Sequence, residues 1–381
     1  MMGTLVGWWM YELTNDPLAL GLIGLSEVIP AVSMALYAGH IVDRSDRRNM
    51  IIRAVLSYGI CVSLLLFIST AFFTHQFGKS TVIYLVYLVI FITGIIRAFS
   101  GPSFGAVISQ LVPRSHLANA VTWSQGTWLT ASVTGHSLAG FLIAGFGITG
   151  TLTAIILMIA MALLIFNTID HKPAPPQAEK KTWESVKEGL RFVYKTKEVL
   201  GALVLDLFAV LFGGAVAMVP VFAKDILKVG PIGFGWLNAA ADFGAIIIVI
   251  LLTVFPLKKQ QGKILLFSVA GFGMTIIVFG LSELFWLSFA ALFMGGVLDG
   301  ISIVVRGTIL QLKTPDELRG RVLSVNSMFI NSSNELGQFE SGIAAKLMGV
   351  VPSVVFGGCM TIAVVIATWF KAPKLKKLEY E

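Results

Sequence analysis

Long stretches of apolar residues alternate with short polar segments along almost the whole chain. Twelve of these stretches predict membrane helices, because the longer ones reach the ~20 residues that cross a hydrocarbon core of roughly 30 Å. They lie at residues 1–13, 18–42, 50–73, 81–108, 118–146, 148–169, 199–223, 232–255, 262–281, 285–312, 320–347 and 351–370. The order of six spans, a break and six spans predicts an all-α polytopic membrane protein built from two halves.

The break between the two sets of spans defines the predicted domains. Residues 1–169 form an N-terminal six-helix half, residues 200–370 a C-terminal six-helix half, and residues 371–381 a basic cytoplasmic tail. Residues 170–199 begin with three prolines and continue with apolar side chains among lysines and glutamates. This segment predicts a cytoplasmic linker followed by an amphipathic helix on the membrane surface.

The composition is typical of a membrane protein. Hydrophobic residues make up 56% of the chain and charged residues only 13%, whereas an ordinary soluble domain has about 25% charged residues. The net charge of +7 does not indicate nucleic-acid binding, because the basic residues lie in short loops between apolar stretches. Cys61 and Cys359 lie far apart, and no metal-ligand spacing joins them.

The distribution of the basic residues predicts how the protein lies in the membrane. If both termini are cytoplasmic, 22 of the 28 Lys and Arg residues fall on the cytoplasmic side, three fall outside, and three lie within the spans. This asymmetry follows the positive-inside rule. We therefore expect a multi-pass protein of the inner or plasma membrane with both termini in the cytoplasm.

An internal repeat relates the two halves. Residues 108–121 align with residues 309–322 at an offset of 201, and the alignment includes the polar pair Gln110 and Gln311. Further matches are Gly135, Gly140 and Gly147 with Gly337, Gly342 and Gly349, and Leu13, Pro17 and Gly21 with Leu227, Pro231 and Gly235. Parallel six-helix repeats place a substrate site between the halves, near the midplane of the bilayer.

The repeat also makes a prediction about the start of the chain. Met1 aligns with Ala215, whereas the seventh span begins near Leu200, so the first span lacks about fifteen residues of its counterpart. The remainder is too short to cross a bilayer. We expect a misassigned start codon or a shortened N-terminus.

The loop after the second span carries the densest charge cluster in the sequence. Gly39, Asp43, Arg44, Arg47 and Arg48 have the spacing G-x-x-x-D-R-x-x-R-R. This spacing resembles the signature loop between helices 2 and 3 of the major facilitator superfamily. The resemblance implies a cytoplasmic gate in which the aspartate meets the N-terminal dipole of helix 11. A loop that serves only topology would explain the arginines, but not the glycine and the aspartate.

Charged side chains within the predicted spans are candidate functional groups, because a charge in the bilayer is costly. Arg97 begins an Arg-x-x-x-Gly-x-x-x-Gly sequence that resembles the arginine motif of the same superfamily. Asp299 and Arg306 lie two helical turns apart on one face, so they pair directly or Asp299 meets Arg97. A structural ion pair is as consistent with this spacing as a coupling role. Further single acids are Asp206, Asp242 and Glu27.

The span at residues 320–347 is unusually polar for a membrane helix. Asn331, Asn334, Glu335 and Gln338 share one face at i, i+3, i+4 and i+7 spacing, which predicts a water-lined stripe. A carboxyl group in such a cavity is a candidate for reversible proton binding. Glu335 is the first candidate, because the polar residues around it keep it accessible without a fixed counter-charge.

Two stretches in this region carry a more specific resemblance. Residues 314–322 and 329–342 closely resemble the enterobactin exporter-like branch of the superfamily, which also includes macrolide efflux pumps. The resemblance implies a secondary active transporter that exports a siderophore or another amphipathic small molecule, such as a drug, by proton antiport and alternating access. It is expected to act as a monomer in the lipid bilayer. A facilitator-fold importer and a non-transporting membrane receptor or scaffold are the alternatives.

The sequence offers little support for an enzyme or for a bound cofactor. Residues 135–140, Gly-His-Ser-Leu-Ala-Gly, resemble the G-x-S-x-G pattern of hydrolases, but they lie in the middle of a predicted helix rather than after a strand. No G-x-x-x-x-G-K-[ST] sequence is present. ATP is therefore not expected to be the direct energy source, no cofactor is expected, and the resemblance implies that the proton gradient supplies the energy. His136 stands where exporters of this superfamily carry the proline of a glycine–proline motif.

Overall fold

The computed structural model describes the backbone of residues 1–113, 116–168, 182–255, 257 and 259–379. Within these ranges the chain forms helices and no strands. The helices are α1 Met2–Thr14, α2 Pro17–Arg44, α3 Arg47–Ile68, α4 Ala71–Leu111, α5 Leu117–Asn167, α6 Thr182–Lys195, α7 Lys197–Phe212, α8 Val219–Val221, α9 Gly230–Val254, α10 Gln261–Leu281, α11 Phe285–Lys313, α12 Asp316–Met348, α13 Val350–Lys371 and α14 Pro373–Lys376. Short 3-10 and π-helical turns flank α8 at Gly214–Met218 and Phe222–Ile226.

The all-α membrane architecture predicted from the apolar pattern is confirmed. Nine segments within the described ranges are long and apolar enough to cross a membrane. The twelve-span count itself is not confirmed. The fifth and sixth predicted spans are joined in α5, α1 has only 13 residues, and the polar face of α12 lowers its hydropathy.

Large apolar side chains cover the outside of the helix bundle. Leu164, Phe255 and Phe370 are 69%, 71% and 76% exposed. A surface of this kind is unfavourable in water and favourable in hydrocarbon, so the surroundings of the bundle are lipid.

Two glycines with positive φ mark equivalent boundaries between consecutive spans. Gly147 bends α5 with φ 66°, and Gly349 separates α12 from α13 with φ 92°. A residue with a Cβ would be strained at either position. The two glycines are 202 residues apart and match in the internal repeat, so the repeat extends to the backbone conformation.

The most extensive contacts between the halves are made by two helix pairs, α2 with α12 and α5 with α9, and α1 adds smaller contacts with α8 and α9. A Cβ built at Gly21 of α2 would lie 3.0 Å from the Cα of Gly342 on α12. A Cβ at Gly140 of α5 would lie 2.9 Å from the Cα of Gly235 on α9. The repeat aligns Gly21 with Gly235 and Gly140 with Gly342, so the two contacts are symmetry-related. We call the end of the bundle with these contacts the glycine end.

The opposite end carries the loop between α2 and α3, and we call it the basic end. Here α6, the amphipathic helix predicted in the linker, packs against α12. Gly189 lies against the backbone of Arg321, Glu188 forms an ion pair with the Arg321 guanidinium, and Val193 is buried. Residues 169–181 of the predicted linker lie outside the described residues. The predicted domain boundaries stay a prediction.

Candidate functional site

One arginine joins three helices near the middle of the bundle. Arg97 of α4 donates hydrogen bonds from Nη1 to Oε1 of Glu27 on α2 and to Oε1 of Glu335 on α12, each at 2.7 Å. Gln338, one turn after Glu335, donates from Nε2 to Oε2 of Glu335 at 3.2 Å. Glu27 and Arg97 belong to the first half and Glu335 to the second, so the Arg97–Glu335 bond crosses the interface between the halves.

Glycines one turn before two of these residues bring the helices close enough for the contacts. A Cβ at Gly94 would overlap the carbonyl oxygen of Glu27 and lie 2.7 Å from Cγ of Pro30. A Cβ at Gly24 would lie 2.7 Å from the carbonyl oxygen of Glu335. Since neither glycine has a side chain, α2 rests directly on both α4 and α12. The carboxyl groups of Glu27 and Glu335 therefore reach the same guanidinium nitrogen.

The site is partly open. The side chain of Glu335 is 8% exposed, that of Glu27 23% and that of Arg97 39%. With both acids ionised, one positive charge faces two negative charges, and a single proton on either acid would balance the site. The expectation that Glu335 lacks a fixed counter-charge is wrong. Arg97 reaches it from α4, a contact that depends on the packing of α2 between the two helices.

Two asparagines of the predicted polar stripe indicate water beside this site. Asn331 and Asn334 are exposed, and neither forms a hydrogen bond with the part of the protein that the structure describes. An amide without partners is unfavourable in hydrocarbon. These two side chains therefore require a polar environment such as water, and the water-lined stripe beside Glu335 stays a prediction.

A second polar cluster lies at the other interface between the halves. Ser132 of α5 donates from Oγ to Oδ2 of Asp242 on α9 at 2.5 Å, and Nε2 of His136 lies 3.5 Å from the same oxygen. Thr4 of α1 lies 2.7 Å from Nδ1 of His136. Asp242 thus lies at the α5–α9 interface between the halves, and its functional role stays a prediction. The sequence analysis did not select His136 as a site residue. The internal repeat aligns His136 with Gln338 at an offset of 202, and this alignment with a predicted site residue could have identified it.

The third group of charges lies within the second half. Arg306 of α11 forms an ion pair with Asp206 of α7, and both side chains are buried. Asp299 and Ser302 line a cavity of about 10 Å³ with Asp206, roughly the volume of one water molecule. The prediction that Asp299 pairs with Arg306 or with Arg97 is wrong, because Arg306 pairs with Asp206 and Arg97 with the two glutamates. Seven residues span roughly 10 Å along a helix, so Arg306 contacts the neighbouring helix instead, and Arg97 is held by the two glutamates.

The predicted gate at the basic end is only partly described. Arg48 donates from Nη2 to the carbonyl oxygen of Asn167 at 2.9 Å. Asp46 caps α3 by accepting from the backbone N–H of Arg48 at 3.0 Å. Arg47 lies beside Arg48 in the first turn of α3. The side chains of Asp43 and Arg44, and the surroundings of Gly39, lie outside the described residues. The gating role of all five residues stays a prediction.

The described part of the chain offers no site for a metal ion. No group of three or more His, Cys, Asp or Glu side chains within it has an arrangement that would hold one. The three clusters bring acidic side chains together with basic or polar ones where helices pack against one another.

Comparisons with known proteins agree with this architecture. The sequence model of the transmembrane secretion effector family matches residues 2–381. The chain is 22% identical to the MFS-type transporter YfiS of Bacillus subtilis, over 94% of this chain and 85% of the relative. It is 24% identical to the enterobactin exporter EntS of Shigella boydii, over 79% of this chain and 71% of the relative.

The fold also matches solved transporters. The crystal structure of a D-xylose–proton symporter superposes with a TM-score of 0.72 at 14% identity, covering 99% of this chain and 90% of that one. The family and its relatives are transporters, which supports the expectation that the chain is not an enzyme. The chain is a multi-pass membrane protein that belongs to the transmembrane secretion effector family of the major facilitator superfamily.

Proposed function

We propose that this protein is a secondary active transporter of the bacterial cytoplasmic membrane, which exports an amphipathic small molecule in exchange for protons. The observation that carries the proposal is the bonding of Arg97 to Glu27 and Glu335, because it links a titratable site to the interface between the halves. The likeness to an enterobactin exporter supports the direction of transport and the class of substrate, a siderophore or a drug.

The charge balance of the site explains how a proton would be coupled to movement. An ionised Glu335 is held to Arg97 by the attraction of opposite charges as well as by the hydrogen bond, whereas a protonated Glu335 keeps only a hydrogen bond between a cation and a neutral group. Protonation of Glu335 therefore weakens a bond that crosses the interface. A change of roughly 1–2 kcal/mol in one state of a two-state protein shifts its population severalfold. Proton binding thus favours the state in which the halves separate at this site.

Glu335→Gln tests the coupling, because glutamine keeps the shape of the side chain but never ionises. We expect the variant to lose the acceleration of efflux by an imposed pH gradient, whatever its affinity for the substrate. The measurement is efflux from loaded cells and from proteoliposomes, with and without that gradient. The probes are ethidium, a catecholate siderophore and chloramphenicol, which are cationic, anionic and neutral.

Glu283→Gln is the matched control, because Glu283 is an exposed acid in the loop between α10 and α11. This variant should respond to the gradient like the wild type. Gradient-driven efflux by Glu335→Gln would show that the proton travels through another residue. If cells with the wild type accumulate more of a probe, the protein is an importer. If no probe moves, the receptor or scaffold alternative replaces transport.

A further inference from the structure

Carboxyl groups outnumber cations at the α2–α12 interface between the halves. The buried pair of Asp206 and Arg306 is neutral and lies within the second half. At the α5–α9 interface, Asp242 faces His136 and the amino group of Met1. At the α2–α12 interface, Glu27 and Glu335 face Arg97, so two acids share one cation. A bound anion would add to this excess in a region where low polarity strengthens repulsion.

The negative charge is concentrated beside the exposed amides of Asn331 and Asn334. Glu27 and Glu335 share one nitrogen of Arg97, so the group carries one negative charge when both acids are ionised. The two asparagine amides are neutral and do not change that charge. A buried excess charge requires a counter-ion or a proton.

Methionines extend the two acidic helix faces towards the basic end. Met34 lies seven residues after Glu27 on α2, and Met328 lies seven residues before Glu335 on α12, so each shares the face of its acid. The side chain of Met34 is 36% exposed, and that of Met328 is partly exposed. Methionine is flexible and polarizable, and it accommodates apolar groups of different shapes. An acidic group followed by apolar walls suits a substrate with one positive charge and a lipophilic body.

We infer that the substrate is a lipophilic monovalent cation, such as an organic amine, and that it exchanges for one proton at Glu27 and Glu335. This inference rests on the proposed function. A bound monovalent cation and a bound proton each neutralise the single negative charge of the site, so the two exclude one another. The exchange moves one positive charge in each direction and is electroneutral. A catecholate siderophore, which is anionic, does not fit this balance.

The charged and titratable side chains nearest to this site are Glu27 of α2, Tyr58 of α3 and Arg97 of α4. On the other helices that pack against α12, Asp206 is paired with Arg306 and Glu188 with Arg321, and Glu340 lies on α12 itself. Since Asp206 and Glu188 are already paired, Glu27 and Arg97 dominate the charge at Glu335.

Two ions of the same shape and opposite charge test the inference on the purified full chain. Tetraphenylphosphonium is a lipophilic cation and tetraphenylborate the matching anion. Equilibrium dialysis in detergent should show saturable binding of the cation that tightens as pH rises, and no saturable binding of the anion. Glu335→Gln and Glu27→Gln should each weaken binding of the cation at least tenfold, whereas Glu283→Gln, at an exposed acid outside the site, should retain it.

Gel filtration of each variant separates loss of binding from loss of folding, and Glu27→Gln replaces Glu335→Gln if the latter does not fold. Binding of tetraphenylborate as tight as that of tetraphenylphosphonium would overturn the inference. So would cation binding that the glutamine variants do not weaken. Gradient-driven efflux of the catecholate without cation binding would also overturn it, while leaving the proposed transporter in place.

In proteoliposomes, an effect of membrane potential on cation–proton exchange would contradict the one-for-one ratio.

Discussion

At the scale of single residues, the membrane-embedded charges of this protein pair across helices rather than along them. Arg306 bonds to Asp206 on a neighbouring helix and not to Asp299 on its own helix. Arg97 likewise reaches from α4 to α2 and α12. A long guanidinium side chain extends sideways more easily than it follows two turns of its own helix. Each bond therefore ties separate helices together.

The buried pair of Arg306 and Asp206 makes a prediction about stability. Arg306→Met leaves Asp206 without its cation in a region with almost no solvent, and breaking such a pair costs roughly 3–5 kcal/mol. We expect a clear fall in the melting temperature in detergent. The double variant Arg306→Met with Asp206→Asn should recover most of the loss, because no uncompensated charge remains. Lys371→Met, at an exposed cation, is the control. A single variant as stable as the wild type would show that the pair contributes no net stability.

At the scale of helices, glycines determine how closely the two halves approach. Gly140 on α5 and Gly235 on α9 touch through their backbones, and so do Gly21 and Gly342 on the other pair. Helices with side chains at these positions would be held further apart. The contacts lie at the glycine end, so this end is closed by backbone packing as well as by polar bonds.

A single methyl group at this contact should disturb closure. A Cβ at Gly140 would lie 2.5 Å from the carbonyl oxygen of Pro231 and 2.9 Å from the Cα of Gly235, which forces α5 and α9 apart. We expect Gly140→Ala to slow transport severalfold and to increase labelling of a cysteine placed at Asn238. Gly145→Ala on the same helix is the matched control, because a Cβ there meets nothing within 4 Å. Equal labelling in both variants would mean that the contact does not limit closure.

At the scale of the whole molecule, each of the two interfaces between the halves consists of a helix pair with a glycine contact and a polar cluster. The residues of the polar cluster differ between the two interfaces. The α2–α12 pair carries two glutamates around Arg97, and the α5–α9 pair carries Asp242 with Ser132 and His136. The glycine end is further tied by Lys346, whose Nζ lies 2.6 Å from Oδ2 of Asp16. These side chains are 54% and 32% exposed, so this ion pair contributes at most about 1 kcal/mol.

The orientation of the molecule is a separate prediction. Because 22 of the 28 Lys and Arg residues lie at the end assigned to the cytoplasm, we expect the basic end to be cytoplasmic. Green fluorescent protein fused after Glu381 should fluoresce. Alkaline phosphatase inserted after Gly78, where α4 bends, should be active, and the same insertion after Ser45 should be inactive. Active phosphatase after Ser45 would reverse the orientation and the proposed direction of transport.

The sequence by itself was enough to predict the helical membrane architecture and its internal repeat. Hydrophobic length is a local property, because each span must cover the hydrocarbon core on its own. The polar stripe on α12 was also predictable, since residues at i, i+3, i+4 and i+7 share a face whatever the helix packs against. The repeat that relates Gly147 to Gly349 was also recognisable, because aligning the two halves of the sequence requires no knowledge of the backbone conformation.

Only the tertiary structure decided which charges meet. The partner of Glu335 lies 238 residues away on α4, and no local pattern specifies that α2 packs between α4 and α12 closely enough for Arg97 to reach it. For the same reason, the sequence did not reveal that Glu27 shares Arg97 with Glu335, or that Asp299 pairs with neither Arg306 nor Arg97. Contacts between helices depend on packing distances set by small residues such as Gly24 and Gly94, whose effect appears only when the helices are assembled.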